Sequence, residues 1–437
     1  MANATNFYSE EDAPLSQANH DRRAWVVCFT AALFFFYEFI QMNMFNVLSG
    51  DLLHAFNINA EQLGVLSAYC FYATIVFLLP AGQLLDRFST RKIILLALGI
   101  CVGGTAGLSF TTSLAWAHVF RFMAGIGSAF CFLSSVRLAS RWFHPRRLAL
   151  VVGLIVTMAM TGGMVAQTPL SLLNQWLGWR HTILAVAGLG AFILLLVWMF
   201  VQDYPQHAKE QHKEHHSALR EIGYWRSMLT SYLNWQNWMG GIYTSLLNLP
   251  IVILGSLWGG LYLQQVYHFT PEQAASITST LFLGAIVGCP IAGWLSDKMG
   301  YRRLPMIIGA LLSLAVILIL LYTPNLSMPQ LMLGFFSLGF ITSAQVISYP
   351  TIAESNPPAL TAMSVSVISI STQIGFAVFQ PLFGKILDHF WDGSKLDGVP
   401  IYSAHSYQLA MIILPSAFVI ALIASLLMKE TYCKKQG

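Results

Sequence analysis

Twelve apolar runs of about twenty residues, cut apart by short polar breaks, constrain this chain more than anything else in it. A helix rises 1.5 Å per residue, so a run of roughly 20 crosses the ~30 Å hydrocarbon core of a bilayer. The runs fall near 24–46, 62–85, 93–112, 116–138, 148–172, 181–202, 239–265, 273–295, 304–323, 329–351, 359–384 and 406–428. They are continuous rather than alternating, which argues against a β-barrel and predicts an all-α membrane protein with twelve transmembrane helices. Composition agrees: 56% of the residues are hydrophobic and only 10% charged, whereas soluble domains carry about 25% charged residues. A net charge of +4 is no nucleic-acid signature, and no nucleic-acid partner is expected.

One long polar stretch, 203–236, falls between the sixth and seventh runs and divides the helices six and six. The predicted organisation is a tail (1–22), a first six-helix lobe (23–202), a linker (203–236), a second six-helix lobe (237–428) and a short tail (429–437). Lys and Arg set the orientation. With the N-terminus in the cytoplasm, 19 of the 23 fall on the cytoplasmic side, so both termini are expected there. The N-terminal stretch carries Glu10, Glu11, Asp12 and Asp21, which is not the pattern of a secretory signal. Six cysteines are scattered singly, without metal-ligand spacing. His212, His215 and His216 cluster in the linker without further ligands, and read as a solvated stretch rather than a metal site.

The chain repeats itself. Gly82-Gln-Leu-Leu-Asp86-Arg87-Phe-Ser-Thr-Arg91-Lys92 follows the second run, and Gly293-Trp-Leu-Ser-Asp297-Lys298-Met-Gly-Tyr-Arg302-Arg303 follows the eighth, 211 residues later. A parallel duplication of six-helix units is the pattern of a two-lobed transporter. Both loops resemble the loop motif of the major facilitator superfamily, although Ser89 stands where Gly is usual. Arg121-Phe-Met-Ala-Gly125 and Gly178-Trp179-Arg180 are also similar to patterns of that superfamily. The resemblance implies alternating access. It further implies gating roles for Gly82, Asp86, Arg87, Gly293 and Asp297, with the loop carboxylate holding a helix N-terminus of the opposite lobe in the outward-facing state. A narrower likeness is carried by Phe36-Tyr37-Glu38-Phe39-Ile40-Gln41, Leu257-Trp258-Gly259 and Ala353-Glu354-Ser-Asn-Pro. These resemble the phagosomal nutrient transporters of intracellular bacteria, which import amino acids and in some cases nucleosides across the inner membrane.

Two charges sit deep in apolar runs: Glu38 in the first and Arg121 in the fourth. An ionisable group at such depth is costly and marks a functional site by default. Counted from the run ends, the two depths differ by only ~4–5 Å, so a Glu38–Arg121 pair is expected. Such a pair locks two helices structurally or, in the functional version, couples a proton on Glu38 to a substrate carboxylate on Arg121. Tyr37 and Gln41 share the Glu38 face at helical spacing. In the superfamily, helices one, seven, ten and eleven surround the substrate, so the resemblance adds Trp258, Tyr262, Gln345 and Gln373 as binding candidates.

In helix five, Ala166-Gln167 stands where drug–proton antiporters of the superfamily carry Gly-Pro, which leans toward import by symport. There is no nucleophile–base set and no phosphate-cradling loop, so neither enzymatic activity nor a cofactor is expected. The expected function is proton-coupled import of a small polar nutrient, first an amino acid, by a monomer in the bacterial inner membrane. Nucleosides, iron chelates and drug export stay open as alternatives within the superfamily. A polytopic sensor is the rival outside it.

Overall fold

The computed structural model describes residues 12–143, 145–204, 224–323, 325–357, 360–396 and 399–434. Its first half comprises α1 (Asp12–Asn43), α2 (Phe45–Phe56), α3 (Ala60–Arg87), α4 (Thr90–Phe110), α5 (Leu114–Trp142), α6 (Pro145–Val165) and α7 (Thr168–Phe200). The second half comprises α8 (Tyr224–Leu233), α9 (Trp235–Leu247), a π-turn (Ile251–Gly255), α10 (Gly259–Tyr267), α11 (Pro271–Met299) and α12 (Arg303–Tyr322). It continues through α13 (Met328–Thr342), a 3₁₀ turn (Ser343–Ile347), α14 (Ser348–Ser355), α15 (Thr361–His389), a hairpin and α16 (Ala404–Met411), ending in α17 (Ile413–Leu427). The hairpin pairs β1 (Lys395–Leu396) with β2 (Val399–Pro400), antiparallel. Among the described residues, ten helical stretches are long and apolar enough to cross a membrane. Trp198 and Phe192 on α7, Ile319 on α12 and Ile423 on α17 stay exposed. Apolar surface of that kind belongs against lipid.

The duplication reaches into helix starts. Asn59 and Gln62 form a capping box at the start of α3, and Thr270 and Gln273 form the same box at α11, again 211 residues on. Reciprocal capping satisfies two orphan donors at once and fixes where each helix begins. These caps lie at the end of the bundle away from the chain termini, called the far end below. The loops of the repeated motif lie at the near end.

Several helices differ from the sequence expectation. The first continues past residue 46 to Phe56, broken only at Met44. Its break follows Asn43, whose side-chain amide donates to Phe39 O (2.7 Å), a local bond that competes with the helix ladder. The expected fifth and sixth helices are redivided. The ladder breaks at Ala166–Gln167, just before Pro169, and α7 bends at Gly178, whose φ of 73° only glycine adopts freely. The expected seventh helix is α9, the π-turn and α10 in succession, interrupted around Pro250. The helix expected at 24 begins at Asp12.

Candidate functional site

The seam between α1–α2 and α5 carries both deep charges. The two segments run antiparallel and are tied at seven-residue steps, two turns each. Ser135 Oγ donates to Ala31 O (3.3 Å), Ser128 Oγ donates to a carboxylate oxygen of Glu38 (2.5 Å), and the Arg121 guanidinium lies 4.3 Å over the Phe45 ring. Seven residues of helix span about 10 Å. Glu38 therefore sits one step away from Arg121 along the seam, not opposite it.

The expected Glu38–Arg121 ion pair does not form. Glu38, 2% exposed, takes its bonds from Ser128 and from Cys101 Sγ on α4 (3.7 Å). Arg121, fully buried, donates Nη1 to Gln41 O (2.9 Å), and its Nε and Nη2 have no hydrogen-bond partner. The depth argument failed because the first helix runs ten residues further than its apolar run, which places Glu38 deeper than counted. A buried unpaired N–H costs about 1–3 kcal/mol, more on a charged group, and Arg121 carries that cost.

The other first-half candidates turn inward. Tyr37 OH accepts from Gln41 Nε2 (2.9 Å) and donates to Thr105 Oγ1 on α4 (3.5 Å). A Cβ at Gly190 would lie 2.6 Å from that hydroxyl, so Tyr37 is packed between α4 and α7. Gln41 Oε1 is left without a partner.

In the second half, Trp258 Nε1 donates to Gln380 O (3.3 Å) and its ring stacks on Phe383 at 5.5 Å. Tyr262 joins an aromatic cluster with Tyr267 and Tyr407. Gln345 and Gln373 each keep an unpartnered Oε1. No hydrogen bond or ring contact among the described residues joins these four to Glu38 or Arg121.

What does join the halves there was not singled out from sequence. Ser256 Oγ donates to Asn43 Oδ1 (2.6 Å), Gln167 Nε2 donates to Gly255 O (2.9 Å), and Gly260 N donates to Asn46 Oδ1 (2.8 Å). The available signal was three carboxamides in apolar runs. It marks a residue as hidden from lipid but does not name its partner.

At the near end, Asp297 pairs with Arg302 (2.6 Å), which also pairs with Glu354 (2.7 Å). Burial works against the Arg302 charge, but the Glu354 and Asp297 carboxylates outweigh it and hold the guanidinium above its ordinary range. Asp297 here engages Arg302 of its own half. Helix N-termini at this end are capped by other carboxylates, each within its own half. Asp203 accepts from Arg91 N (2.8 Å) and Ser89 Oγ (2.5 Å) at α4, while Glu430 accepts from Arg302 N and Arg303 N (both 2.8 Å) at α12. Ser89, the departure from the family motif, is a working N-cap. Gly82 and Gly293 face open space, and Arg87 is exposed. The Asp86 side chain and the linker histidines His212, His215 and His216 lie outside the described residues. Arg180 closes the end of α4, donating to Ser109 O (2.7 Å) and Thr111 O (2.9 Å), so Gly178-Trp179-Arg180 is a structural motif here.

The model of the Major Facilitator Superfamily matches residues 29–380 and, in a second match, 253–435. The chain belongs to that superfamily. It is similar to the probable galactarate/D-glucarate transporter GarP of Escherichia coli K12, 22% identical with 87% of this chain and 89% of GarP covered. It is also similar to the probable sulfoacetate transporter SauU of Cupriavidus necator, 26% identical over 62% of this chain and 64% of SauU. Among solved structures, a bacterial homologue of the human lysosomal transporter Spinster superposes with a TM-score of 0.75. It is 19% identical, with 92% of this chain and 97% of that one covered. The protein is a multi-pass membrane transporter of this superfamily. The comparisons stop short of the phagosomal importer subfamily.

Proposed function

We propose that the protein imports a small carboxylate-bearing nutrient with a proton, by alternating access of two six-helix lobes in the bacterial inner membrane. In this reading there are twelve crossings, with both termini cytoplasmic. The 51-residue stretch Leu150–Phe200 is over twice one crossing and breaks at Gly178. The broken α9–α10 segment supplies the crossing that length alone misses.

One observation carries the solute class: Arg121 is fully buried with two guanidinium nitrogens unspent and, among the described residues, no carboxylate paired with it. A guanidinium presents a fork that matches a carboxylate. The relatives named for sugar diacids and sulfoacetate support an anionic solute. An amino acid fits through its carboxylate alone. Its ammonium lies too close to that carboxylate to reach Glu38 as well, about 10 Å along the seam. That leaves Glu38, held by neutral Ser128 and Cys101 donors, as the proton carrier.

Counterflow and pH-driven uptake in proteoliposomes, with amino acids, sugar diacids and sulfonates as solutes, separate the two roles. Arg121→Met should lower counterflow at least ~100-fold, the order expected for losing one charged hydrogen-bond pair. Glu38→Gln should keep counterflow yet lose accumulation driven by a pH gradient. Full pH-driven accumulation by Glu38→Gln removes the proton role. Counterflow of an uncharged nucleoside that ignores Arg121→Met removes the carboxylate class.

A further inference from the structure

The far-end junction of the two halves uses groups that neither the carboxylate site nor the proton role employs. Asn46 is its centre. Its Nδ2 donates to Gln167 Oε1 (2.7 Å) and to Thr278 Oγ1 (3.3 Å), and its Oδ1 accepts from Gly260 N (2.8 Å). Gln167 in turn donates Nε2 to Gly255 O (2.9 Å) and accepts from Thr278 Oγ1 (2.9 Å). Asn46, Gln167 and Thr278 are fully buried. Apart from the Asn46–Gln167 bond, every one of these bonds runs from the first half of the chain to the second.

Except at Thr278, which lies inside α11, each arm ends at a break in a helix. Asn43 and Asn46 flank the break at Met44, Gln167 is the break between α6 and α7, and Gly255 and Gly260 bracket the interruption before α10. A broken helix leaves backbone donors and acceptors that must be satisfied elsewhere. Here the opposite half satisfies them: Gly255 O and Gly260 N are bonded by side chains of the first half. The backbones come so close that a Cβ at Gly260 would lie 2.5 Å from Asn46 O. The first segment of each half is thus interrupted at a matching place, and the two interruptions are stitched to each other.

The geometry points to the Asn46 carboxamide as the hub of a latch that holds the far end shut. Release of Gln167, Thr278 and Gly260 from Asn46 is the step that lets the halves part there, with the breaks at Met44, Gln167 and the π-turn as joints. The cross-half bonds made by Gly255 and Gly260 fall on an interrupted segment, and a moving junction needs both bonds that can be exchanged and backbone that can bend. Neutral hydrogen bonds between membrane helices are individually weak, so a bound solute can release several of them. The inference rests on alternating access but not on the solute or the proton.

Pulsed EPR on full-length protein in nanodiscs tests it, with the native cysteines replaced. One spin-label pair sits at Thr112 and Asn325, exposed far-end positions in the two halves, and a control pair at Arg87 and Lys298 at the near end. Asn46→Ala and Thr278→Val should each raise the long-distance fraction of the far-end pair about fivefold, the equivalent of one membrane hydrogen bond. The double variant should add little to Asn46→Ala alone. If Asn46→Ala fails to fold, the nearly isosteric Thr278→Val decides. Two populations at the control pair with an unresponsive far-end pair overturn the latch and leave alternating access standing. A single population at both pairs, with and without solute, overturns both.

Discussion

The two ends of the bundle are held by different chemistry. At the near end the charged ties described run within a half, beside neutral ones such as Asn234–Asn356. Asp203 caps α4, Glu430 caps α12, and Arg302 sits between Asp297 and Glu354. At the far end Arg180 and Asp51 make charged ties within the first half, while the ties between halves are mostly neutral: Asn43–Ser256, the Asn46 set, and close backbone contacts at glycine. One carboxylate joins them, Asp388 of α15, which accepts from Glu61 N (2.7 Å) and Ala60 N (3.2 Å) at the start of α3 and from Tyr402 OH (2.6 Å). The difference teaches where rigidity and movement are placed. In the proposed alternating-access reading, charged caps stiffen each half and exchangeable contacts join the two at one end.

The contrast can be broken most forcefully at Arg302. Its side chain is 8% exposed, and Arg302→Ala strands Glu354, itself 14% exposed. Discounting Asp297 for solvent, the loss should be ~2–4 kcal/mol in thermal unfolding, with the far-end distance distribution unmoved. A far-end shift in that variant would dissolve the distinction between the ends.

Gly384→Val attacks the other side. A Cβ at Gly384 would lie 2.4 Å from Ala60 O, a backbone atom of the opposite half that cannot step aside. Overpacking costs about 1–3 kcal/mol, and here the cost falls on the closed far end alone. An impermeant maleimide applied from the far side should then label a cysteine placed at the buried Leu261 several-fold faster. Unchanged labelling would mean that α3 and α15 absorb the methyl groups locally.

Asp388→Ala should follow, at roughly 1–2 kcal/mol for a lost cap, with the same labelling as readout and little loss of overall stability. The smallest effects sharpen the near end. Asp203→Ala and Glu430→Ala remove equivalent caps from the two halves and should each lower stability by ~1 kcal/mol. Values differing by more than twofold would show that the duplicated joints have diverged.

Much of the architecture was legible in the apolar runs, because the bilayer dictates their length. The 211-residue register even extended to the capping boxes at Asn59 and Thr270. Helix ends were less legible. Residues 47–56 include Ser49, Asp51 and His54, yet they continue the first helix, and that error in length misplaced Glu38 against Arg121. Which turn of one helix faces which turn of another depends on the seam, and no single run encodes it. The aromatic candidates Trp258 and Tyr262 were recognisable as hidden from lipid, but whether they line a cavity or pack against Phe383 and Tyr407 is decided by helices far away in sequence. Asn46 and Gln167 raised the same difficulty in reverse: their partners lie in the other half of the chain.

The Asn46 set is built of carboxamides, a hydroxyl and backbone groups, so it carries no net charge. A unit charge moved across a membrane gains ~2.3 kcal/mol per 100 mV, and a carboxamide gains nothing. Nor does salt weaken such a set, whereas around 0.15 M salt screens exposed charges beyond ~8 Å, which reaches Asp297 at its 67% exposure. Membrane voltage and ionic strength therefore have no grip on the Asn46 set itself. In the proposed reading an electrical driving force enters through charged groups elsewhere, such as Glu38, Arg121, Asp388 or the solute.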